Sequence, residues 1–94
     1  MFMEYKISLE LSKIIHKLYK KDLSLYRKLK NKISEIINSK NLNNYKNLKH
    51  PLNQFKRVHI TQQFVLIFQV DIKTNSILFV YFDHRKNIYK DLKF

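Results

Sequence analysis

Ninety-four residues carry 19 Lys and Arg against seven Asp and Glu, a formal charge of +12 at pH 7, and 45% of the chain is hydrophobic. That apolar content suffices for one small packed domain over residues 1–94 and argues against disorder. With no Cys and no Gly, disulfides, thiolate zinc sites, cysteine nucleophiles, P-loops and dinucleotide fingerprints are excluded.

Residues 3–8 alternate Tyr5, Ile7 and Leu9 with polar neighbours, the period-two pattern of a half-buried strand. Ser8 is placed to cap a helix running to about Lys20, whose apolar positions Leu11, Ile14, Ile15, Leu18 and Tyr19 recur at helical spacing. Asp22 is the natural cap of a second helix to about Asn38, with Leu25, Leu29, Ile33, Ile36 and Ile37 as its inner stripe. So short a turn between them predicts an antiparallel helical hairpin. Residues 13–34 hold eight basic residues and one acid, Asp22. This surface, with Arg27 and Lys28, is either a solvated face or one that meets phosphates.

The Asn-rich stretch 38–49 ends the helix, and Pro51 interrupts regular structure. Three strand-like runs follow at 55–60, 64–71 and 76–83, separated by connections short enough for hairpins. The apolar runs 65–68 and 77–80 read as central strands covered on both faces. Phe64, Phe68, Phe79, Tyr81 and Phe82 read as core rather than as stacking platforms. The expected architecture is α+β: an N-terminal strand, an antiparallel helical hairpin and a three-stranded antiparallel meander, in the order β-α-α-β-β-β. The tail 90–94 is too short for another long helix, and Phe94 is expected to fold back.

The basic excess wants a polyanion, either nucleic acid or an acidic protein, although an AT-rich coding bias would also enrich Lys. The four His residues lack close ligand spacing, and no carboxylate cluster could hold magnesium. No metal or other cofactor is expected. No apolar run approaches the roughly 20 residues of a membrane span. The N-terminus carries Glu4 and Glu10 without a cleavage signal, so the expected location is cytoplasmic.

Three stretches resemble the RelE/ParE toxin superfamily, in an order that covers essentially the whole chain. Leu48-Lys49-His50-Pro51-Leu52 resembles that family's L-K-x-P-L connection. The strands Phe55-Lys56-Arg57-Val58-His59-Ile60 and Phe64-Val65-Leu66-Ile67-Phe68 are similar to its second and third strands. Asp83-His84-Arg85-Lys86-Asn87-Ile88-Tyr89 resembles its closing H-R-x-x-[IV]-Y segment. The resemblance implies the toxin of a type II toxin–antitoxin pair, an endonuclease that cuts mRNA on the ribosome without a metal. It also implies silencing by an acidic, RelB-like antitoxin. Such chemistry needs a group that takes the ribose 2′-OH proton, cations for the extra phosphate charge, and a donor for the leaving 5′-oxygen.

Lys56 matches a functional lysine of some RelE members, and Arg57 adjoins it on the opposite strand face. His84 is a candidate proton carrier, Arg85 a phosphate fork, and Tyr89 a stacking or donating group. The catalytic candidates are therefore Arg85, His84, Tyr89, Lys56 and Arg57, and the RNA-contacting ones are Lys49, His59, Lys86, Arg27 and Lys28. Each has a plainer reading: Lys56 and His59 as ordinary strand residues, Tyr89 as packing for the C-terminus. Val58 and Val65 stand where many members carry cations, and no Glu lies near Gln63, where one branch keeps a catalytic acid. A ParE-like gyrase poison and a non-catalytic RNA-binding module on the same fold are the alternatives.

Overall fold

The computed structural model describes residues 4–91, with side chains described through Ile88. Strand β1 (Glu4–Ile7) leads into helices α1 (Leu9–Lys21) and α2 (Leu23–Ile37). A 3-10 turn (Leu42–Asn44) and the two-residue strand β2 (Lys46–Asn47) precede the meander β3 (Phe55–His59), β4 (Phe64–Asp71) and β5 (Ser76–His84). The described chain closes with helix α3 (Arg85–Asp91). The sheet order is β1-β5-β4-β3-β2, with β1 parallel to β5 and the other pairings antiparallel.

The expected strand, helical hairpin and meander are all present, as an α+β fold. Both helix starts follow from their caps: Ser8 Oγ accepts the Leu11 N–H at 3.1 Å, and Asp22 Oδ1 accepts that of Leu25 at 3.1 Å. The α2 stripe Leu25, Leu29, Ile33, Ile36 and Ile37 is buried throughout. With Leu11 it packs on Leu66, Phe68, Ile77, Phe79 and Phe82, forming the main core between hairpin and sheet. Three readings from periodicity shift: Tyr5, Leu9 and Tyr19 are exposed, at 48%, 74% and 57%. Tyr5 still meets the edge of Phe79, and Tyr19 that of Tyr26.

A second, smaller cluster lies on the sheet face without the hairpin. There Leu48, Val65, Ile67 and Ile88 are buried, flanked by Leu52, Phe55, Val80 and Tyr81. Helix α3 covers part of this face through Ile88. The four residues Val65, Leu66, Ile67 and Phe68 are wholly buried because β4 has a core on both faces.

One irregularity decides which side chains reach that second face. Ile67 pairs with Tyr81 and Phe68 with Phe79, so Val80 is the extra residue of a β-bulge. Strict alternation from Ile77 and Phe79 would carry Tyr81 and Asp83 toward the hairpin. The bulge reverses the parity: Phe82 joins the main core and Tyr81 the second cluster. Ser8 holds the irregularity, since its hydroxyl donates to the Val80 carbonyl at 2.6 Å and its N–H to the Phe79 carbonyl at 2.9 Å.

Turns without glycine use polar side chains instead. Asn75 takes the positive φ of 53° in the β4–β5 turn, while Asp71 Oδ1 accepts the N–H groups of Lys73 and Thr74. Thr61 Oγ1 accepts those of Gln63 and Phe64 in the β3–β4 turn. The His50–Pro51 peptide is cis. Among the described residues no helix is long and apolar enough to cross a membrane.

Candidate functional site on the hairpin-free sheet face

Strand β3 sorts its polar residues by parity. Val58 packs into the main core and Phe55 against the second cluster. Lys56 therefore lies on the hairpin side, and Arg57 and His59 on the other. No bulge interrupts the β3–β4 register to bring them together. Lys56 Nζ donates to Asn47 Oδ1 at 2.7 Å and to the Tyr45 carbonyl at 3.2 Å. The lysine thus fastens the 45–47 segment to the sheet, and β2 pairs alongside, Lys46 opposite Arg57.

Arg57 and His59 sit two residues apart on one face, about 7 Å along the strand. The cross-strand rows are Arg57–Ile67–Tyr81 and His59–Val65–Asp83. Their middle members, Val65 and Ile67, lie buried with Ile88 of α3. Arg85 heads that helix, and its N–H donates to the Gln63 carbonyl at 2.7 Å. This bond pins the start of α3 to the turn leaving β3, so Arg85 and His59 border one depression with residues 60–63. A second depression joins His59 to Arg57, Tyr45 and Lys46. A third joins Arg57 to Lys46, Lys49 and His50 over Leu48 and Leu52. Shared borders make one continuous band of cations and imidazoles, and among the described residues no Asp or Glu lines any of the three.

Asp83, in the same cross-strand row as His59, is committed. Asp83 Oδ1 accepts the His84 N–H at 2.7 Å and Asn87 Nδ2 at 3.2 Å, and Oδ2 accepts the Tyr81 hydroxyl at 3.1 Å. His84 caps α3, its Nδ1 accepting the Lys86 N–H at 3.2 Å, with its ring edge-on to Phe64 at 5.5 Å. The short helix behind Arg85 is thus clasped from both sides of β5's end. Tyr45 meets the edge of Phe68. Burial raises its hydroxyl pKa first, the nearby Glu35 charge adds to this, and Lys32 offsets it in part.

Of the residues singled out from sequence, Arg57, His59, Arg85 and Lys49 border the band. Lys86 is exposed on α3. Lys56 and His84 are placed differently from the single cluster expected, one anchored across the sheet and the other capping a helix. Arg27 and Lys28 are exposed on α2, in the hairpin layer on the opposite side of the sheet. Tyr89 falls within α3, but its side chain, like Phe94, lies outside the described residues. Lys46, His50 and Asp83 were passed over. The pairing of Lys46 with Arg57 that would have signalled the first depends on a two-residue strand. Among the described residues no three His, Asp or Glu side chains gather as metal ligands.

No family model matches the sequence. A Methanocaldococcus jannaschii protein named "Putative toxin RelE4" is 48% identical over 90 residues, covering 96% of this chain and 94% of that one. The chain belongs to the RelE/ParE toxin superfamily. Solved structures agree on the fold of this RelE-like toxin. The YoeB/ParE toxin from Agrobacterium tumefaciens superposes with a TM-score of 0.75 at 13% identity, covering 88% of this chain and 99% of that one. The Mycobacterium tuberculosis RelBE2 toxin–antitoxin complex contains a chain with a TM-score of 0.65 at 15% identity, covering 90% and 100%.

Proposed function

We propose that this RelE-like toxin is an endoribonuclease that cuts mRNA on the ribosome without a metal ion, and that an acidic, RelB-like antitoxin silences it in the cytoplasm. The observation that carries the reading is the band Arg57–His59–Arg85, on one sheet face and, among the described residues, bordered by no acid. Guanidinium groups keep their charge and grip phosphate oxygens in pairs. An imidazole between two of them suits proton transfer at a phosphodiester.

In this reading the His59 ring takes the proton of the ribose 2′-hydroxyl. The 2′-oxygen then bonds to phosphorus while the bond to the 5′-oxygen breaks, leaving a cyclic phosphate and a 5′-hydroxyl. Arg57 and Arg85 stabilise the charge that gathers on the non-bridging oxygens. Tyr89, four positions beyond Arg85, is the candidate donor to the leaving oxygen. Lys49 and Lys86 hold flanking phosphates, while Lys56 and His84 keep the strand and helix in place. Arg27 and Lys28, on the far layer, are left to contact RNA beyond the cleavage site. The antitoxin assignment rests on the RelBE2 likeness together with the +12 charge, which favours an acidic partner.

The test is cleavage of mRNA on programmed ribosomes, in magnesium but with a chelator selective for transition metals. Fragments ending in cyclic phosphate and beginning with 5′-hydroxyl are expected. Growth arrest with intact mRNA and blocked DNA replication would move the assignment to a gyrase poison.

A further inference from the structure

Beside Arg57 lies a cavity that phosphate chemistry alone does not need. The segment 46–52 folds over the outer edge of the sheet, leaving a space of about 510 Å³ bordered by Lys46, Leu48, Lys49, His50, Leu52 and Arg57. Small-ligand sites typically measure about 300–1,000 Å³. Its apolar wall is part of the second cluster: Leu48 is 7% exposed and Leu52 packs against it. Lys46, Lys49 and His50 are exposed at its border, and among the described residues no acid lines it. Leucine walls suit a flat apolar ring, and exposed cations suit an anion attached to it. An imidazole at the border adds a surface on which a base can stack.

We propose that this cavity is a nucleotide pocket, receiving the base of the RNA residue adjacent to the scissile phosphate. The inference rests on the nuclease reading for the direction of the strand, but the pocket's chemistry stands apart from cleavage. Arg57 borders both this cavity and the depression it shares with His59. A nucleotide seated here therefore lies beside Arg57, joined directly to the scissile phosphate that Arg57 shares with His59 and Arg85. Lys46 and Lys49 hold the neighbouring backbone by charge. The leucines and His50 face the base, so this pocket, and not the arginine row, sets preference among bases at that position.

The test uses the four nucleoside 5′-monophosphates as probes, with inorganic phosphate at the same concentration as control. Amide chemical shifts are recorded on the isotope-labelled full chain. The expected result is nucleotide-specific shifts at residues 48–52 and 57 that phosphate does not produce, different in size for purines and pyrimidines. Leu52→Trp, which fills the cavity, should abolish them and change the base preference beside the cut on programmed ribosomes. If Leu52→Trp fails to fold, the paired substitutions Lys49→Ala and His50→Ala, both on exposed side chains, should remove the same shifts. Shifts equal to those with phosphate alone, or lying elsewhere, overturn the pocket. If the nucleotides bind as expected and no RNA is cut, the pocket stands and the nuclease reading fails. Cleavage with an unaltered base preference in the filled variant leaves the nuclease reading and overturns the pocket.

Discussion

Lys56 and Arg57 are neighbours in β3 and act on opposite sides of the sheet. The ammonium of Lys56 holds Asn47 at 2.7 Å and the Tyr45 carbonyl at 3.2 Å, whereas Arg57 borders the cationic band. Lys56→Met keeps the aliphatic stem and deletes the donor. It should cost about 1 kcal/mol of stability in urea unfolding, since the bonds are charge-assisted but partly solvated, with cleavage per folded molecule unchanged. Arg57→Ala should instead lower cleavage about a hundredfold. Equal losses of cleavage from both substitutions would contradict the division of roles.

In the proposed nuclease, Asp83 acts only through α3. Asp83→Ala removes the acceptor for His84, Asn87 and Tyr81, at a cost of about 1–2 kcal/mol, and should loosen Arg85 enough to lower kcat. Asp83→Asn keeps an oxygen for the two N–H donors and offers its amide to the tyrosine hydroxyl, so it should recover most of both. Thermal unfolding and single-turnover cleavage check this. An Asp83→Asn enzyme as impaired as Asp83→Ala would mean that the negative charge itself matters.

The sequence made the hairpin legible because both helices announce themselves twice, by a cap at Ser8 or Asp22 and by a stripe of apolar residues. The meander was legible from its apolar runs. Three features were not. Strand β2 has two residues and so no period to read. Helix α3 has one described buried residue, Ile88, too few to mark a helical face. The bulge at Val80 exists only as a register between strands, yet it moves Tyr81 and Asp83 to the site's side of the sheet. Residue type could therefore be read where face could not: Arg57 and Arg85 border the band with His59, whereas Lys56 holds the 45–47 segment and His84 caps α3.

Ser8 joins two of these features. Its hydroxyl accepts from Leu11 and donates to the bulged Val80 carbonyl. Ser8→Ala should cost about 2 kcal/mol, a lost helix cap plus a carbonyl left short of a partner. Chemical denaturation measures it; a loss no larger than a few tenths of a kcal/mol would show that the bulge needs no clasp.

Tyr45 gives the fold an alkaline sensitivity. Its raised pKa means that the folded chain holds the phenol proton more tightly than the unfolded chain does. The corresponding stabilisation is complete below the ordinary tyrosine value near 10 and is lost as pH rises through the folded value. Tyr45→Phe keeps the ring on Phe68 and removes the titration. The stability difference between wild type and variant should be constant from about pH 7 to about pH 9. Above that it should shift against wild type in urea unfolding. A difference that stays flat through about pH 11 would contradict the burial of this hydroxyl.

Arg85, held beside His59 on the hairpin-free face, is the proposed stabiliser of the charge on a phosphate being cut. Single-turnover cleavage on programmed ribosomes by Arg85→Ala, beside wild type, tests this role most directly. The expected result is a rate lower by about a hundredfold to a thousandfold, with the unfolding midpoint and antitoxin binding unchanged. Cleavage by Arg85→Ala at the wild-type rate would contradict the account.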